Sequence, residues 1–108
     1  DGINHANLTP NVNHQVIADE IWSYTNMYGT EEDGVREALD GLNVDDLKFV
    51  FVKFGIKGYE FMAGVSTVTG FGESQVNLIQ VLKNESNGWF SVPFKEDMEF
   101  IWLPTGLW

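Results

Sequence analysis

The chain contains no cysteine, which excludes disulfide scaffolds, thiolate zinc sites and cysteine nucleophiles. Basic side chains are scarce, with 6 Lys and Arg against 16 Asp and Glu and a net charge of -10. Phosphate repels such a surface, so neither nucleic acid nor direct binding to an anionic membrane is expected. There are only two imidazoles, His5 and His14, with no H-x-x-x-H or H-E-x-x-H spacing. They read as solvated histidines of a polar arm. No apolar run approaches the ~18 residues of a membrane span, and no signal-peptide pattern is visible. Asp1 in place of Met suggests an expression product, a processed product or a piece of something longer.

What is present suits one packed domain. The 108 residues are 44% hydrophobic and 14% aromatic, too apolar for a disordered chain. Residues 1–12 read as an irregular arm and 13–108 as a single helical domain. From Asn13 to Tyr28, Ile17, Ile21, Tyr24 and Tyr28 recur at helical spacing, with Val16 and Trp22 widening the stripe. Thr30 with Asp33 approximates a capping box for a second helix from Glu31 to about Asp40. That helix would bury Val35, Ala38, Leu39 and Leu42. Gly34 inside it costs on the order of 1 kcal/mol against alanine and suggests a close helix crossing. Asn43 caps a third helix, with Asp46 at the matching position. There Leu47, Val50, Phe51 and Phe54 follow the i, i+3, i+4, i+7 rule. Gly29, Gly41 and Gly55 punctuate these three helices.

Residues 56–72 are Gly-rich and read as a long connection with at most one short extended stretch. Helicity is expected again from Ser74, with Val76, Ile79 and Leu82 three apart. Pro93 suits the start of a fifth helix with Phe94, Met98, Ile101 and Trp102 on its face. A competing reading makes 89–92 and 98–103 a hairpin, because WFSV and MEFIWL have strand-like composition; the helix is favoured.

Eight of the acids lie at or near expected helix starts, where they offset the partial positive charge of unpaired amides. No D-x-D-x-D-G loop, G-x-S-x-G elbow or phosphate-binding glycine pattern is present. No cofactor and no catalytic residue is assigned, and an enzyme is not expected. Trp89, Phe90, Phe94, Phe100, Trp102 and Trp108 crowd the last twenty residues. Some can close the core. Trp89, Phe90, Phe100, Trp102 and Trp108 are candidates for an exposed contact patch.

The stretch IWSYTNMYGTEEDGVREALDGLNVDDLKFVFVKFG resembles helices A, B and C of an annexin-type repeat, where G-T followed by acids opens helix B. It looks more like the annexin-like helical modules in virion proteins of phages of Bacteroidota. There a variable loop follows the third helix, and Leu82-Lys83-Asn84-Glu85 matches the fourth. The resemblance covers about residues 15–86. It implies an all-α bundle of four to five short helices and a structural role in a virion assembled in the host cytoplasm. The implied partners are other virion proteins or copies of the chain itself. An annexin-like alternative is calcium-dependent surface binding through Gly29, Thr30 and Glu73, although Met27 stands where the motif has its first glycine. A further alternative is an accessory domain of a lytic or wall-degrading protein.

Overall fold

The structure is a computed structural model that describes residues 2–25, 31–60, 73–86 and 92–108. It is compact and mostly helical, with α1 His14–Thr25, α2 Glu32–Leu39, α3 Val44–Phe54, α4 Leu78–Glu85 and α5 Val92–Trp102. Short 3-10 turns flank the set at His5–Asn7 and Leu103–Thr105. Between α3 and α4, β1 Lys57–Glu60 and β2 Glu73–Val76 pair antiparallel, with Lys57 opposite Val76 and Glu60 opposite Glu73. This ribbon corrects the expectation of helix from Ser74. The Asn77 N-cap fixes where the helix begins, so residues 73–76 stay outside it and pair with β1. Asn77 then starts α4 with a capping box. Its side chain accepts from Gln80 N at 3.0 Å, and Gln80 Oε1 accepts from Asn77 N at 2.8 Å.

One apolar core joins the five helices of the described residues. Ile21, Val35, Val50, Leu78, Leu82, Phe94, Met98 and Trp102 are fully buried in it. The helix over the last segment holds, with Phe94, Met98 and Trp102 facing inward at the expected four-residue spacing. Thr105 and Gly106 end the 3-10 turn that follows it. Thr105 Oγ1 donates to Trp102 O at 2.6 Å, and Gly106 adopts φ +78°.

In α1 the buried line is His14, Ala18, Ile21 and Thr25, one position round from the expected stripe. Ile17, Trp22 and Tyr24 lie on its shoulder, and Val16 is exposed. Small Ala18 and self-bonded Thr25, whose hydroxyl donates to Ile21 O at 2.9 Å, let α1 approach its neighbours closely. Tyr28 lies outside the described residues.

Gly34 is where the α1–α2 approach is tightest. A Cβ there would meet the Tyr24 ring at 3.0 Å, as the sequence suggested for a close crossing. Gly34→Ala sets a helix-propensity gain of about 1 kcal/mol against overpacking of about 1–3 kcal/mol. The contact is with the body of a half-buried ring, so a net destabilisation is expected in urea unfolding. A more stable Gly34→Ala variant would refute the tight crossing.

The α2 start differs from expectation. Its N-cap is Glu31, which makes no side-chain cap bond. Glu31 N instead donates to Tyr24 O at 3.0 Å, closing the end of α1. Asp33 turns to Arg36 at 2.9 Å, and Thr30 lies outside the described residues. The α3 start is as expected, with Asn43 and Asp46 making both bonds of a capping box.

Candidate contact surface

Two side-chain groupings stand out from the core. The first is polar and centres on Asp46. The N-terminal arm packs across the start of α3, burying Ile3. Asp45 holds the arm by accepting from Asn4 N at 3.0 Å and Asn7 Nδ2 at 3.2 Å. These bonds, that from Asn4 N foremost, place the Asp45 carboxyl below its ordinary value. Asp46 accepts from Thr9 N at 2.9 Å, Thr9 Oγ1 at 2.5 Å and Asn43 N at 3.2 Å. His14 Nε2 lies 2.8 Å from the same carboxylate and carries the proton, because a carboxylate only accepts. Burial pushes the Asp46 carboxyl up, but bonds from the Thr9 hydroxyl, His14, Thr9 N and Asn43 N outweigh it and bring it down to about 2.

His14 is therefore a buried partner, 6% exposed, and not a solvated loop histidine. The reading as loop residues went astray because the partner is 32 residues away. No local spacing encodes that contact. His5 remains exposed, with its ring edge-on to Phe49 at 5.4 Å between centroids. His14 packs on the same ring at 5.0 Å. Thr9 donates to the carboxylate that also binds His14, so the three do not follow the nucleophile–base–acid order of a hydrolase. The arrangement acts as a latch between arm, α1 and α3.

The second grouping is an open groove between the α2–α3 turn and α5. Its floor is Leu39, Leu42, Leu47 and Ile101, with Val44, Phe100 and Pro104 on its walls. Phe100 is 84% exposed and Leu103, beyond it, is 59% exposed. Arg36 spans from α2 to α5 at one end. Its Nε donates to Asp97 at 2.7 Å, and its guanidinium lies 5.5 Å from the centroid of the Phe94 ring. The bond to Asp97 raises the guanidinium pKa, against a smaller effect of burial.

The five aromatic residues expected at a contact patch separate sharply. Phe100 lines the groove and is exposed. Trp102 is 0% exposed and belongs to the core, because it continues the Phe94–Met98 face, whereas Phe100 falls on the opposite side of α5. It therefore leaves the contact set. Trp108 is half-buried against the core, with Lys83 Nζ 5.1 Å from its ring centroid. Trp89 and Phe90 lie outside the described residues, as do Gly29 and Thr30 of the calcium alternative. Glu73 is in β2. Among the described residues, no group of three or more His, Asp or Glu side chains is placed to hold a metal ion, and no helix is long and apolar enough to cross a membrane.

Val44 and Leu103 were missed by sequence reasoning. Val44 is a lone apolar residue at a helix start, and Leu103 ends the apolar run 100–103, so hydrophobic periodicity singles out neither. Comparison with protein-family models, curated proteins and solved structures finds no match.

Proposed function

We propose that this protein is a non-enzymatic building block that works through protein–protein contacts, as a structural or assembly subunit of a phage virion. The observation that carries the contact reading is Phe100, exposed on the rim of a groove with an apolar floor. Exposed aromatic residues of this kind lose solvent contact only by meeting another molecule. The virion assignment rests on the resemblance of residues 15–86 to annexin-like modules of phage particles. The acidic exterior keeps free subunits apart and soluble before assembly.

Phe100→Ser combined with Leu103→Ser tests the contact reading. Both side chains are exposed, so unfolding free energy is expected to stay within about 0.5 kcal/mol of the parent. Association with other subunits of the particle, followed by sedimentation velocity, is expected to fall at least about tenfold. Mass spectrometry of particles from the source culture should find the chain. Unchanged association in the double variant would remove the surface, and absence from the particles would remove the virion assignment.

A further inference from the structure

The groove also carries information about the kind of surface that fills it. Its floor is apolar, formed by Leu39, Leu42, Leu47 and Ile101. Its charged rim is acidic. Among the described residues Arg36 is the one cation lining it, and Glu32, Asp33 and Asp97 already surround that guanidinium at 3.8, 2.9 and 2.7 Å. Asp40 on the same rim is exposed. The rim therefore keeps a negative excess after Arg36 is neutralised. A second copy would set this acidic rim against another acidic surface, each molecule carrying -10. Like charges meeting across an interface oppose docking, whereas opposite charges speed encounter and select the partner.

We infer that the groove between the α2–α3 turn and α5 receives an apolar side chain from a different protein whose flanking surface is rich in Lys and Arg. This inference rests on the contact reading above and narrows its partner from any subunit to a basic one. The apolar anchor would sit against Phe100 and Leu42, and the flanking cations would face Asp40 and Asp97. Burial of the anchor supplies affinity, and the cations supply orientation and exclude self-association.

Calorimetric titration of the full chain with three capped helical peptides tests this. One peptide carries a central leucine–tryptophan–leucine cluster flanked by lysines. The second has glutamates in place of the lysines, and the third keeps the lysines but has alanines in place of the cluster. The first is expected to bind at least about tenfold more tightly than the other two. Its affinity should fall about tenfold with Phe100→Ser and with Asp40→Lys, and should weaken as added salt shortens the Debye length below ~10 Å. Both variants change exposed side chains, and circular dichroism verifies that they stay folded. Equal binding of the glutamate peptide would overturn the basic partner. Equal binding of the alanine peptide, affinity unchanged in both variants, or no binding of any peptide would overturn the groove as its site. Self-association that Phe100→Ser abolishes, seen alongside any of these results, would keep the contact reading and make the occupant a second copy.

Discussion

Asp46→Ala is expected to lower the unfolding free energy by about 3 kcal/mol or more, because it takes a buried acceptor away from several donors at once. The Asp46 side chain is 0% exposed and serves four donors from three parts of the chain. Its removal leaves Thr9 N, the Thr9 hydroxyl, His14 Nε2 and Asn43 N without this acceptor in a site with little access to water. Each unsatisfied group costs about 1–3 kcal/mol. The capping box of α3 is lost with it. Urea unfolding at neutral pH measures the effect, and a loss below about 1 kcal/mol would show that the latch contributes little.

The same site sets an acid limit. The Asp46 carboxyl is lowered from 3.8 to about 2 in the folded chain. The unfolded state therefore takes up the proton first. The stabilisation is complete above the unfolded value and is lost as pH falls from 3.8 through about 2. A shift of this size corresponds to about 2 kcal/mol. Thr9 and His14 are the groups that face the carboxylate from the arm and α1, and Asn43 faces it from its own helix start. Asp46→Asn cannot ionise, so its deficit relative to the parent is expected to shrink across that window. A deficit that stays constant down to pH 2 would assign the acid sensitivity to other carboxylates.

Trp102→Ala is the second large effect, with an expected loss of about 3–5 kcal/mol from the cavity left by a fully buried indole. Trp102→Phe is expected to cost much less, about 1 kcal/mol or below. The indole Nε1 is buried with no hydrogen-bond partner among the described residues, so Phe removes a donor that they leave unsatisfied along with the second ring. Association per folded molecule should be unaffected by either substitution. Full stability of Trp102→Ala with lost association would return Trp102 to the contact surface. Phe100 is the opposite case on the same helix: its substitution spares folding and acts on contacts. Two aromatic residues of one crowded segment thus separate by 100° rotations about the α5 axis.

How much was legible can be read from these residues. Asn43 and Asp46 could be read as a capping pair because both bonds are local, three residues apart. Val35, Leu39, Leu47, Val50 and Phe54 could be placed in the core because helical periodicity survives in the sequence. The same periodicity carried Phe94, Met98 and Trp102 inward, although composition alone placed Trp102 at a surface. The Asn77–Gln80 cap was also present in the sequence, but apolar Val76 before it and Leu78 and Ile79 after it blurred where α4 begins.

By itself, then, the sequence determined a cysteine-free, acidic, mostly helical domain and most of its core, because those properties depend on composition and on contacts within a turn or two. Tertiary structure alone decided that His14 and Thr9 share Asp46, that the arm rests on α3, and that the α2–α3 turn and α5 enclose a groove beneath Phe100. These contacts join residues more than thirty positions apart. Their partners are chosen by how the helices cross, and no short-range spacing records that choice.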